Sequence, residues 1–289
     1  MPTEAHWFRL PDLGVLSVAG PDARSFLQGQ LSNDLRQLAP GTALYSGLHN
    51  AQGRVIALLQ LAAVTDTEVL VILPAELSEK VARQLQRYVL RAKLQLRDAS
   101  HELAVCATLQ PGSAGVRPPL GPYQLPAPDT RAYGLWPLES DATPPAADAA
   151  ASDAWHARNI AGGLPRITAA TSEQFVAQML NLDCIGAISF DKGCYTGQEI
   201  IARAHYRGHV KRRLQSFSTE SATALEPGQQ VRLHDGRTTV VIDARTRSDG
   251  RCDFLAVAPL PGTAVESAAA ASTSPLRVIP QPLPYKLPD

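Results

Sequence analysis

Residues Asp191 to Glu199 read DKGCYTGQE, with a lone thiol two residues after a lysine and just ahead of a helix-start pattern. Thr196 and Glu199 have capping-box spacing, and Tyr195 is placed to staple onto Ile200. A helix N-terminus carries partial positive charge and unsatisfied N–H groups, and Lys192 adds a cation. Cys194 therefore reads as a candidate thiolate, able to act as a nucleophile or as a soft ligand. The same residues also have a structural explanation. Capping accounts for Tyr195, Thr196 and Glu199, turn geometry accounts for Gly193 and Gly197, and a single cysteine is most often a small buried apolar residue.

Other residues can do chemistry as well. Trp155, in Ala154-Trp155-His156-Ala157-Arg158-Asn159-Ile160, offers either a core aromatic or a flat ring for stacking. Arg203, Arg207, Lys211, Arg212 and Arg213, with Tyr206 between them, form the most basic stretch. It reads as a continuation of the signature helix, either a solvated face or a cradle for an anion. His205 and His209 have i,i+4 metal-ligand spacing, but Gly208 intervenes and no third ligand is nearby, so no metal is expected. Cys106, Cys184, Cys194 and Cys252 include no C-x-x-C pair, so neither a zinc ribbon nor a permanent iron–sulfur site is encoded by spacing. No G-x-G-x-x-G, Walker-type loop or G-x-S-x-G occurs, so dinucleotide, nucleotide and serine-hydrolase readings lack a motif.

The elements that must position these residues follow an α+β pattern. Gly14 to Val18, Val55 to Val64, Val69 to Leu73, Leu94 to Arg97 and Leu103 to Thr108 read as strands. Ala23, Phe26, Leu27 and Leu31 share one helix face, and Leu77, Val81, Leu85 and Val89 predict a second helix over Ala75 to Arg91. Gln110 to Ser152 turns proline-rich and then alanine-rich, including Asp141 to Ala147, and is expected to be an exposed connection. Asp153 to Ile160 restarts a helix that ends at Gly162-Gly163. Gly208 is expected to end the signature helix, after which Val231 to Leu233, Thr238 to Ala244 and Phe254 to Ala258 predict a small β-barrel. The expected division is 1–100, 101–213 and 214–289. Charge is balanced, 27 basic against 27 acidic residues, so no global field would hold a polyanion or a membrane surface. No leader pattern or membrane-length apolar run is present, and a cytoplasmic protein with reduced thiols is expected.

Lys192-Gly193-Cys194-Tyr195-Thr196-Gly197-Gln198-Glu199 resembles the K-G-C-Y-x-G-Q-E signature of the YgfZ family of folate-binding proteins. Phe26-Leu27-Gln28-Gly29-Gln30-Leu31-Ser32-Asn33-Asp34 resembles that family's N-terminal segment, and Gly53-Arg54 its G-[RK] turn. Asn181-Leu182-Asp183, Gly186 to Phe190, Ile201-Ala202-Arg203 and Leu283-Pro284-Tyr285 match too, so the likeness spans nearly the whole chain. It implies an aminomethyltransferase-like folate-binding fold, related to the glycine cleavage T-protein, with α/β domains and the C-terminal barrel arranged as a ring. It implies an accessory role for iron–sulfur enzymes or assembly factors, including enzymes that modify tRNA, with tetrahydrofolate or a one-carbon derivative as cofactor and direct tRNA contact left open. The other readings are a folate-dependent aminomethyltransferase and a non-catalytic, folate-responsive scaffold. On this resemblance Cys194 and Lys192 are the candidate reactive pair, while Trp155, Tyr195, Gln198, Glu199, Arg203 and Arg207 are candidate folate contacts. The T-protein's aspartate has no counterpart by motif; Asp34 and Asp183 are candidates by neighbourhood.

Overall fold

A computed structural model describes residues 5–110, 118–124, 130–139, 143–260 and 275–288. The chain forms two compact units. One comprises Met1–Leu48, Ala57–Trp155 and Ala187–Thr196; the other comprises His49–Ile56, His156–Gly186 and Gly197–Asp289.

In chain order the elements up to the signature are β1 (Phe8–Arg9), β2 (Leu13–Ala19), α1 (Ala23–Gln30), β3 (Ala43–His49), β4 (Val55–Ala63), β5 (Glu68–Pro74), α2 (Ser78–Gln86), β6 (Gln95–Asp98), β7 (Leu103–Thr108), β8 (Leu120–Gln124), β9 (Ala132–Pro137) and α3 (Ala149–Ala161). One sheet runs β3-β4-β5-β2-β6, with β5 and β6 antiparallel to β2 and β4 antiparallel to β5. The run VIALLQLAA of β4 is buried at all nine positions, as an internal strand covered on both faces requires. Ala23, Phe26 and Leu27 are the buried face of α1. Val81 and Leu85 bury on α2, which stops at Gln86 rather than reaching Arg91. Beyond Leu85 the chain offers no continuous apolar face: Tyr88 and Leu90 are exposed.

A second sheet runs β1-β7-β9-β8. Its strands β8 and β9 lie within the stretch expected to be an exposed connection. The proline and alanine content masks a local strand signal there, Ala132-Tyr133-Gly134-Leu135-Trp136, whose residues are all buried. Of the stretch from Asp141 to Ala147, Asp141 and Ala142 lie outside the described residues.

After the signature come α4 (Gln198–Tyr206), β10 (Arg212–Thr219), β11 (Gln230–Arg232), β12 (Thr238–Thr246), β13 (Cys252–Pro259) and β14 (Val278–Gln281), with the strands in the order β11-β12-β13-β10-β14. Phe217, Leu233, Val241, Cys252 and Phe254 pack its core. Among the described residues the ladder does not close into a continuous barrel. Its edges meet only at an isolated bridge between Leu233 and Leu276. The signature helix ends where the Gly208 stop signal placed it: α4 runs to Tyr206, and Arg212 and Arg213 of the basic stretch open β10. Gly208 lets the chain turn back, because a Cβ there would sit 2.9 Å from the Cα of Ala204. No helix among the described residues is long and apolar enough to cross a membrane.

Candidate functional site

The segment carrying Cys194 is held by its neighbour. Lys192 is 6% exposed, and its ammonium donates to the backbone oxygens of Gln28 (2.7 Å), Leu31 (2.6 Å) and Asn33 (2.8 Å). All three ammonium protons thus serve the last turn of α1 and the residues that follow it. Burial lowers the Lys192 pKa to about 8, against the opposing pull of Asp34. Ser32 adds to the seam: its Oγ donates to the oxygen of Ala187 (2.8 Å), and its own oxygen accepts from the Ser189 amide (2.9 Å). The turn is rigid in itself. Gln28 Nε2 donates to Asp34, the Leu35 amide donates to Gln28 Oε1, and Arg36 forms a 2.7 Å ion pair with Asp34. The Arg36 hydrogen bond holds the Asp34 carboxyl far below the usual carboxylate range. Two motifs some 160 residues apart therefore meet backbone to side chain in one unit.

Cys194 stands exposed above this anchor, with Tyr195 buried behind it and the Lys192 ammonium 5.2 Å from the Tyr195 ring centroid. Cys106 and Cys252 are buried and Cys184 is half-buried; burial pushes the Cys106 and Cys184 thiols up to about 12. At Gly193 a methyl group would meet no atom within 4 Å, so its own packing does not demand glycine.

Gly197 is the opposite case. It, and not Thr196, caps α4: its φ is +83° and no side-chain capping bond forms. A Cβ on Gly197 would lie 2.6 Å from the oxygen of Asn50 and 2.9 Å from the Cα of Gly53, in the same unit. The Asn50 to Arg54 turn, closed by Asn50 Oδ1 accepting from the Gln52 and Arg54 amides at 3.0 Å, fills the space a cap side chain would need. The capping box is displaced for that reason, and with Gly197 as cap the residues at staple spacing become Thr196 and Ile201 rather than Tyr195 and Ile200. Along α4, Glu199 and Arg203 are exposed and share one face, Gln198 is half-buried, and Arg207 is exposed just past the helix end.

Trp155 is sealed at 2% exposure. The rings of Tyr133 and Phe8 meet it edge-on at 4.8 and 6.4 Å, and the buried Arg131 guanidinium lies 4.3 Å from its centroid while donating to the Trp155 oxygen. Asp183 is bound to Arg213 in a buried ion pair of 3.0 Å. Asn181, at φ +55°, donates to the oxygen of Leu214 and to Tyr285 Oη, and Tyr285 in turn donates to the oxygen of Gly163. The Asn181–Asp183 and Leu283–Tyr285 motifs are thus a structural hub. His205 and His209 gain no third partner: no cluster of three metal-ligating side chains occurs among the described residues. Sequence reading gave no role to Gln178, Arg131 or Ser32, which lie outside any reactive pattern; Ser32 alone was signalled, by its place in the N-terminal motif.

The model of the GCVT N-terminal domain family matches residues 3–118. The chain is 32% identical to the tRNA-modifying protein YgfZ of Edwardsiella ictaluri, across 96% of this chain and 91% of that protein. It is 31% identical to the tRNA-modifying protein YgfZ of Klebsiella pneumoniae, across 84% and 81%. The glycine cleavage system aminomethyltransferase T of Bartonella henselae superposes with a TM-score of 0.65 at 15% identity, covering 89% of this chain and 79% of that one, a likeness of fold.

Proposed function

The chain belongs to the YgfZ family, and from that premise we propose that it is a cytoplasmic, tetrahydrofolate-binding accessory protein that supports assembly or repair of iron–sulfur enzymes, among them enzymes that modify tRNA. The observation that carries the reading is the presentation of Cys194, an exposed thiol on a loop whose anchoring lysine is wholly spent on backbone carbonyls. A thiol held out in this way suits transient capture of iron or a cluster, or attack on a one-carbon unit.

Bound tetrahydrofolate supplies the one-carbon unit. Gln198 and Glu199 have the donors and acceptors for a pteridine edge, and the exposed Arg203, one turn further along α4, and Arg207, just past its end, suit a glutamate tail. Trp155 and Tyr195 have almost no open ring surface, so on this reading they keep the shape of their own unit and do not stack on the pterin. The aminomethyltransferase reading needs a free carboxylate beside a folate nitrogen. Asp34 and Asp183 are each spent on an arginine, which favours the accessory role.

The test combines calorimetric titration with tetrahydrofolate and rescue of iron–sulfur enzyme activity in cells lacking the protein. Saturable binding that Arg203→Ala weakens, together with failed rescue by Cys194→Ala at normal stability, is the expected result. Rescue by Cys194→Ala as good as wild type hands the function to the scaffold reading, and absence of saturable binding removes folate from it.

A further inference from the structure

Besides the Cys194 loop, one unit holds a cavity of about 320 Å³ between the C-terminal end of α4 and the start of β10. Gln178, Asp183 and Arg213 line it, as do His205, His209 and Lys211. We propose that this cavity binds a ribose phosphate unit, the phosphate on Lys211 and the two histidines and a ribose hydroxyl on Gln178.

The inner wall carries the chemical information. Gln178 is 1% exposed; its Nε2 donates to the oxygen of Ile201 (2.7 Å) and its backbone oxygen accepts from Arg213 (3.0 Å). Among the described residues, its Oε1 receives no hydrogen bond. A buried acceptor of this kind calls for a donor. A bare anion would set acceptor against acceptor there, so the ligand must carry an O–H or N–H group. Arg213 and Asp183 neutralise one another and fix the wall. The outer wall then presents the Lys211 ammonium and the ring nitrogens of the exposed His205 and His209, and neither His209 nor Lys211 has a carboxylate partner among the described residues. Positive charge outside and a lone acceptor inside match a phosphate joined to a hydroxylated sugar. Tyr206 adjoins, 67% exposed, with its ring 4.7 Å from that of His205, and offers a face on which a base can stack.

The same unit can come from a free mononucleotide or from a nucleotide within an RNA strand. The full-length protein is titrated calorimetrically with AMP, adenosine, inorganic phosphate and a single-stranded oligoadenylate hexamer, all without folate. AMP is expected to bind saturably and about tenfold tighter than either adenosine or phosphate, because each of these meets half of the site. Lys211→Ala, an exposed change, is expected to weaken AMP by about fivefold with the melting temperature unchanged. A hexamer tighter than AMP identifies RNA as the source; equal affinities identify the free nucleotide. The proposal is overturned if AMP does not saturate, if phosphate alone binds as tightly, if Lys211→Ala and His209→Ala together change nothing, or if tetrahydrofolate displaces AMP competitively. Because folate is left out of the binding arms, failure here leaves the folate reading standing, and the reverse holds.

Discussion

Lys192→Met tests whether the Cys194 loop is anchored by its lysine. Methionine keeps most of the side chain's volume and removes the ammonium, stranding the oxygens of Gln28, Leu31 and Asn33. Hydrogen bonds from a charged donor contribute about 1.5–3 kcal/mol each, so three give about 5–9 kcal/mol gross. Burying the ammonium costs several kcal/mol in return, a penalty visible in the pKa lowered by burial to about 8. The difference leaves an expected loss of about 2–4 kcal/mol. Trp7, Trp136 and Trp155 all belong to the unit that contains Lys192, so urea unfolding followed by tryptophan fluorescence reads that unit directly. A pH series adds a second, independent reading. Between about 8 in the folded chain and the ordinary 10.5 in the unfolded one, the unfolded state binds more protons. The contribution of Lys192 to stability therefore rises with pH across that window and is lost as pH falls back toward 8. The methionine variant should lack this component. A loss below about 1 kcal/mol, or the same pH profile in both proteins, refutes the clamp.

Gly197→Ala should destabilise by about 2–4 kcal/mol, since it joins a positive φ to contacts with Asn50 and Gly53, whereas Thr196→Ala, which removes no capping bond, should cost less than about 0.5 kcal/mol; circular dichroism melts compare the two. Trp155→Ala should cost about 3–5 kcal/mol in chemical denaturation, and full stability with lost folate binding would contradict its place in the core. Alkaline stability should fall: burial raises the Cys106 and Cys184 thiols from 9.0, and the Tyr195 and Tyr285 phenols from 10.0, to about 12. Their contribution is intact below pH 9 for the thiols and pH 10 for the phenols, and is lost as pH rises to about 12. Between pH 10.5 and 12 the opposing Lys192 component is complete, so a flat stability curve there would refute the assignment. Alkylation at neutral pH should reach Cys194 first of the four cysteines, measured by peptide mass spectrometry.

Much of the fold was legible locally. The apolar runs of β2, β4, β5 and β7 declared themselves by composition, and the buried faces of α1 and α2 by their spacing. The strands β8 and β9 were hidden because a window rich in proline and alanine outweighs the short apolar run inside it. The end of the signature helix was legible too, since Gly208 is a stop signal; what the sequence does not show is why glycine is needed there, the close pass of the chain over Ala204.

The sequence by itself determined the eight-residue signature, the family it resembles and the chemistry that Cys194 can supply. It also named, without explaining them, the segments that matter. Only the tertiary structure decided their roles. Lys192 points its charge into three carbonyls of a turn some 160 residues away. Asp34 and Asp183 are consumed by arginines. Gly197, not Thr196, takes the capping position, because the Asn50 to Arg54 turn leaves no room there for a side chain. The physical reason is common to all: local pattern dictates which conformation a segment prefers, while the partner of a buried charge or a close backbone approach is set by segments far along the chain, and a donor type alone cannot say where its proton goes.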